Sequence, residues 1–426
     1  MERQVRRGIR WFSPLTAAVV AAFTLAGCAS TPLSSSKPPV KTTTTRTPPT
    51  TTSTPPTTTR TLPTTTSTPP TTSTPTGHAG FSPVSVTFPS AETGWVLGTI
   101  TAGTVVKLAV VRTTDGGITW TRSPAPDVTF DSGARDLAMI RFADSKNGWI
   151  TAPVTTTPSG PLPSTLWSTH DGGASWQQVA VPDGGYVTAL EVSDGVFQLA
   201  ELATTGSGAT AVFLYSAAAA SDSWVRSAAS LPIGAGPVAS AQLTLQGGGG
   251  WAIEVDRTVG AGARLASGAW EPWTPPCTDA NGSASIAASS TTEVVALCHE
   301  GVWGPPPAGT TPGPWLFVSS DGGSHFSAVG AIPTTAAVAG AYSLATPPGE
   351  PQVVVVGGSG LVVTFDGGHS WKTVYGASAG QVRVVAFTTA TQGVAIVTGG
   401  TKVSTLLMTR DGGGTWNPLD LSGAAT

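Results

Sequence analysis

Asp136 and Glu191 are the two carboxylates in this chain that could act as an acid–base pair, the arrangement that splits a glycosidic bond. Arg135, Arg141 and Arg383 could clamp an anionic group, and Tyr186 and Tyr342 offer phenols nearby in the pattern. An isolated Asp or Glu on a short apolar segment is far more often solvated or ion-paired, so the non-catalytic reading weighs more. The histidines at 78, 170, 299, 325 and 369 are scattered. No nucleophile elbow, P-loop, zinc spacing or dinucleotide fingerprint occurs, and no cofactor is called for. Five Asp-Gly-Gly turns bring no second or third carboxylate together, so no metal is expected either.

Those turns define the elements that must position everything else. Thr113 to Trp120, Thr169 to Trp176, Ser319 to Phe326, Thr364 to Trp371 and Thr409 to Trp416 are near-copies of one another, centred on Asp115, Asp171, Asp321, Asp366 and Asp411. Four follow a clear apolar run, such as Leu361-Val-Val363, so each reads as strand, tight Asp-Gly turn, strand. The carboxylate is expected to accept N–H bonds across the turn, and the aromatic to turn inward between neighbouring repeats. Two degraded copies end at Trp224 and Trp270. The terminal aromatics at 120, 176, 224, 270, 326, 371 and 416 are spaced by about 49 residues on average, and so are seven equal parts of 80–424.

A second marker fixes the frame. Phe88 and Trp95, Phe142 and Trp149, and Phe387 and Val394 are each seven apart, bracketing a turn that opens the next strand with Gly-Trp or Gly-Val. The first repeat then has strands over Val84–Phe88, Gly94–Gly98, Lys107–Thr113 and Thr119–Ser123. Four antiparallel strands, seven times over, predict an all-β, seven-bladed β-propeller. The register starts on an inner strand and ends on an outer one, so the ring is expected to close without strand exchange. It also puts Arg135, Asp136, Arg141, Tyr186, Glu191, Tyr342 and Arg383 on inner strands lining the central channel.

The turn motif resembles the Asp box, or BNR repeat, of sialidases. Four of the five good copies match it, and the copy at Asp321 departs at His325 and Phe326. With the Gly-Trp strands, the region 80–424 is similar to the photosystem II assembly factor family of seven-bladed propellers. That resemblance implies the scaffold, and nothing in it implies photosynthesis. The sialidase likeness implies boxes lying away from any active site, and the Arg-Ile-Pro motif of those enzymes is absent.

Charged residues make up 11% of the 426, against roughly 25% in an average globular protein. Gly and Pro together number 88, which argues against long helices. Residues 1–27 read as an export signal, with Arg3, Arg6, Arg7 and Arg10 before an apolar run. Leu25-Ala26-Gly27-Cys28 resembles the lipobox of bacterial lipoproteins, which implies lipidation of Cys28 and a lipid anchor outside the cytoplasm after export by the Sec or Tat route. Residues 28–79 form a Thr/Pro/Ser-rich stalk with almost nothing to bury. At ~3.1 Å per residue in a polyproline conformation it would reach on the order of 150 Å.

The remainder holds 13 basic and 23 acidic residues, a net charge of −10, which excludes nucleic acid as the main partner. Cys277 and Cys298, 21 apart in an exported domain, are expected to form a disulfide joining the fourth repeat to the fifth. Long connections at Ala152–Thr165, Thr121–Ala134 and His299–Pro314 are expected to carry binding, with Phe130, Arg135 and Trp303 as candidate contacts. The sequence therefore predicts a monomeric surface lipoprotein whose propeller binds an envelope protein or glycan. The alternative is a glycoside hydrolase, sialidase-like or other, acting on extracellular glycans.

Overall fold

The computed structural model describes residues 80–421 apart from 103–104, 131–134, 155–162, 205–209, 233–239, 256–258, 278–283, 299–313, 334–342, 377–379 and 400–401. Its strands form seven antiparallel sheets, each built from consecutive segments of chain. Blade one runs Phe81–Thr87, Gly94–Ala102, Val105–Thr113 and Thr121–Ser123. Its second and third strands are longer than the apolar pattern alone predicts, because pairing continues from Gly94↔Thr113 out to Ala102↔Val105. Blade one also gains a fifth, short strand, Thr129–Phe130, paired back onto its third strand. The innermost strands touch one another in order from blade one to blade seven, and the first of them meets the second and third strands of blade seven. The fold is the seven-bladed propeller that the repeat spacing predicts.

One apolar cluster fills each of the seven junctions between blades. The aromatic that ends each repeat lies in the junction with the preceding blade. Trp120 packs with Val394 and Met408 of blade seven, Trp176 with the blade one–two cluster, and Trp416 with Val355 and Val363 of blade six. The degraded repeats keep this role: Trp224 packs in the blade two–three junction and Trp270 in the three–four junction. Burying an aromatic is the part of the repeat that the ring needs most, so it outlasts the Asp.

The Asp boxes are closed hydrogen-bonded turns. Asp115 Oδ1 accepts from the backbone N–H of Ile118 and Thr119, at 3.0 and 2.9 Å, and from the Thr113 hydroxyl at 2.7 Å. Its Oδ2 accepts from the Thr119 hydroxyl. Gly116 and Gly117 take φ of 71° and 88°, which only glycine adopts without strain. In blade five the His325 ring replaces the usual hydroxyl and bonds Asp321 Oδ2 at 2.6 Å. These bonds favour the charged carboxylate. Side-chain and backbone bonds from Thr119 hold Asp115 at a pKa of about 2, and those from Ser175 do the same for Asp171. A pKa lowered on folding gives stability that is present above the ordinary value of 3.8 and lost as pH falls through about 2. Thermal melts should therefore show Tm dropping steeply between pH 4 and pH 2. A Tm unchanged down to pH 2 would contradict this account of the boxes.

The boxes of blades one, two and five are also gripped by the preceding blade. Trp95 Nε1 of blade one donates to the Gly172 carbonyl in the box of blade two, and Trp251 of blade four does the same to Gly322 of blade five. Arg264 of blade four adds a bond to the Gly322 carbonyl. His170 of blade two reaches Asp222 of blade three at 3.1 Å. The ring closes without strand exchange, as the register predicts: the last sheet ends on Asn417–Pro418 and the first begins on Phe81–Thr87. Arg410 Nη2 donates to the Gly116 carbonyl at 2.6 Å, Gln392 Nε2 to the Ala91 carbonyl, and the Ser404 N–H to Ser82 Oγ.

Cys277 and Cys298 are joined, with Cα atoms 5.6 Å apart. Cys277 follows the outer strand of blade four (Ala269–Trp273), and Cys298 ends the second strand of blade five (Val294–Cys298). Both are buried in the junction cluster of those blades. Closing a loop of this length stabilises the fold by about 3 kcal/mol. Cys277→Ser with Cys298→Ser should lower stability by that order in urea unfolding. An equal loss on reducing the wild-type chain would assign the effect to the bond rather than to the substitutions.

Candidate functional site on the inner strands

An inner strand leaves one backbone edge unpaired, and an exposed edge invites foreign strands. Hydroxyls from neighbouring blades cover these edges. Ser85 Oγ accepts from the Ile140 N–H and Thr87 Oγ1 from the Phe142 N–H, both at 3.2 Å, while Ser343 Oγ accepts from the Val385 N–H at 2.8 Å. Thr244 Oγ1 donates to the Ile286 carbonyl at 2.7 Å. The sequence reading missed these caps. Their signal is a Ser or Thr at alternate positions of otherwise apolar inner strands.

The most concentrated charge on the inner strands lies between blades two and three. The inner strand Met139–Phe142 sends Ile140 and Phe142 into the junction with blade one, so alternation aims Arg141 at blade three. There it meets Glu191, on the inner strand Tyr186–Ser193. Arg141 Nε donates to Glu191 Oε2 at 2.8 Å and Nη2 to Oε1 at 2.6 Å, a two-pronged ion pair. Nη1 donates to Ser85 Oγ and to the Ile140 carbonyl. Burial alone would discourage the guanidinium charge, but Glu191 more than offsets it and holds the Arg141 pKa above its usual value.

The other nominated residues do not join this pair. Arg135 and Asp136 lie on a 3-10 turn, Arg135–Leu137, ahead of the inner strand and not on it. Pairing of that strand with the second strand of blade two runs only from Met139 to Phe142, which leaves Arg135 and Asp136 outside the ladder. Asp136 is exposed. Tyr186 is half-buried, and burial pushes its phenol pKa up. Arg383 is exposed on blade seven, where a bulge interrupts pairing between Val382 and Val384. Tyr342 and Trp303 lie outside the described residues. The backbone at Phe130 folds back onto its own blade, pairing with Val106.

Sequence reasoning also missed a second cluster, at the entry to blade three. Glu201 is fully buried, and its carboxylate accepts from the N–H groups of Asp183 and Gly185. Asp183 in turn accepts from Tyr215 Oη and Arg226 Nη1, and Arg226 lies 3.8 Å over the Phe213 ring. A lone Glu inside Phe197-Gln-Leu-Ala-Glu-Leu-Ala203 is the signal that could have found it. The cluster ties the connection between blades two and three to the blade it enters. Burial pushes the Glu201 pKa up. A raised value acts opposite to the boxes: its contribution is fully present below the ordinary carboxyl range and is lost as pH rises through the raised value.

No family model matches the chain, and no curated protein does. Solved structures do resemble it in fold. "YCF48 bound to D1 peptide" aligns over 78% of this chain and 94% of its own, at 19% identity and a TM-score of 0.51. A structure from a study of two prolyl endopeptidases aligns over 80% of this chain and 50% of its own, at 11% identity and a TM-score of 0.53. The GH74 enzyme of Niastella koreensis aligns at 16% identity and a TM-score of 0.49, over 80% of this chain and 59% of its own. The chain is thus a seven-bladed β-propeller, with the scaffold expected from the assembly-factor resemblance.

Proposed function

We propose that this protein is a surface-anchored lipoprotein whose propeller is a non-catalytic binding or assembly scaffold for an envelope protein or glycan. The observation that carries the non-catalytic part is the state of Glu191. Both of its oxygens are committed to Arg141, so it is not free to serve as half of an acid–base pair. Asp136, the other half, stands on a turn and not on the inner strand. The box carboxylates are likewise consumed by their own turns. What remains is a ring cross-braced from blade to blade, a rigid frame for loops. A propeller of this shape, YCF48, is known with a bound peptide, which supports a protein partner.

The test uses the full chain, tagged at its C-terminus and extracted in mild detergent. Retention of one envelope protein or glycan, with no turnover of chromogenic glycosides, supports the scaffold reading. Glycoside turnover lost in Glu191→Ala would replace it with the hydrolase. Lipidation is tested separately. Radioactive palmitate should label the wild-type chain and not Cys28→Ser, and equal labelling of both would remove the anchor.

A further inference from the structure

Three boxes carry histidine; His170 of blade two is bonded to Asn147 and Asp222, while His325 and His369, in the boxes of blades five and six, line one cavity between those blades, of about 310 Å³. That volume is at the small end of ligand pockets, enough for one side chain or a small amine. In every good box but that of blade five a Thr or Ser hydroxyl closes on the Asp, Ser370 in blade six included, so the fold does not need an imidazole at either position.

The hydrogen bonds fix what these rings offer. His369 Nδ1 lies 2.6 Å from the Asp366 carbonyl oxygen, which can only accept, so Nδ1 carries the proton. His325 Nδ1 lies 2.6 Å from Asp321 Oδ2. Bonds from the His325 backbone and ring hold the Asp321 carboxyl far below the usual range, so it too only accepts. With the ring neutral, each Nε2 is therefore an acceptor with no partner in its own turn. Glu293 lines the same cavity half-buried, and its carboxylate enters no ion pair among the described residues. Ser289, 2% exposed, lines it as well, with a buried hydroxyl that has no hydrogen-bond partner among the described residues. Among the described residues no Lys or Arg lines the cavity, while Val295, Val318 and Val329 supply an apolar wall.

Acceptors, the Glu293 carboxylate, the negative charge of the turn-bound Asp321 and an apolar wall suit a ligand with a hydrocarbon stem and a cationic, donor-rich head. We propose that this cleft is a binding site for a lysine or arginine side chain of the partner. The inference rests on the scaffold reading and names the chemistry of its partner. It agrees with the net charge of −10 on residues 80–426. Anions and acidic segments are excluded by Glu293 and Asp321. Ser320, Ser327 and Gln352 also line the cleft and can donate, so a polyol is the competing occupant that the N-acetylglucosamine arm of the test decides.

The test is a titration of the full chain, labelled with ¹³C-histidine and purified in detergent, with Nα-acetyl-lysine methylamide and Nα-acetyl-arginine methylamide. Saturable shifts of the His325 and His369 signals are expected. Binding should weaken about tenfold in Glu293→Gln, with Tm unchanged. Nα-acetyl-norleucine methylamide, which keeps the stem and loses the charge, should give no shift. Equal shifts with norleucine or with N-acetylglucosamine, no saturable shift with either cation, or unaltered binding in Glu293→Gln would each overturn the proposal. Partner retention separates this from the scaffold reading. If wild type and a Glu293→Gln, His369→Ala variant retain the partner equally, the cleft is not its site and the scaffold stands. If wild type retains nothing, the scaffold reading fails and the titration alone decides the cleft.

Discussion

Trp95→Ala should be among the most destabilising single substitutions in this protein, costing about 3–5 kcal/mol. Trp95 is fully buried between blades one and two and stacks on Phe142 with ring centroids 3.7 Å apart. Its indole N–H also holds the Gly172 carbonyl of the next box at 3.1 Å. Alanine would leave a cavity at the junction and an unpaired carbonyl in the turn. The hydrogen bond separates Trp95 from Trp149, which is just as buried but whose Nε1 has no partner. Trp95→Phe should therefore cost more than Trp149→Phe, by about 1 kcal/mol. Urea unfolding of the three variants measures this. Equal costs for the two phenylalanine variants would mean that the bond to Gly172 adds nothing.

Arg141→Ala is the second large effect. It would leave Glu191 charged and half-buried between two inner strands, with its two strongest hydrogen bonds gone. Breaking a fully buried pair costs about 3–5 kcal/mol, and this one is partly solvated, so about 2 kcal/mol is expected. The side chains of Arg141 and Glu191 are 19% and 31% exposed, which sets that discount. Removing both charges with Arg141→Met and Glu191→Leu should recover most of the loss, because the penalty comes from the stranded carboxylate rather than from the absent pair. A double variant no better than Arg141→Ala would instead make the Arg141 bond to Ser85 the important contact.

The repeat was legible because its physics is local. A box closes within seven residues, from Thr113 to Thr119, and its aromatic recurs at a spacing set by the size of one blade. Even the degraded copies at Trp224 and Trp270 could be placed, since burial in a junction needs the ring and not the turn. The site was legible only in part. Arg141 and Glu191 could each be placed on an inner strand, but their pairing spans 50 residues and depends on which face alternation gives each side chain. Arg135 and Asp136 failed because nothing local says where pairing between two strands stops. The grips of Arg410, His170 and Trp95 on neighbouring boxes were invisible for the same reason: each partner belongs to another repeat.

The seam between blades seven and one is built from the same kinds of contact as the internal junctions: a grip on a box carbonyl, a bond to an inner-strand hydroxyl and an apolar cluster. Every blade completes its own sheet, so the native ends of the domain hold no privileged position in the circle. Circular permutants that open the chain in any other connection between blades, with a short linker joining residues 80 and 421, should fold to the same wheel.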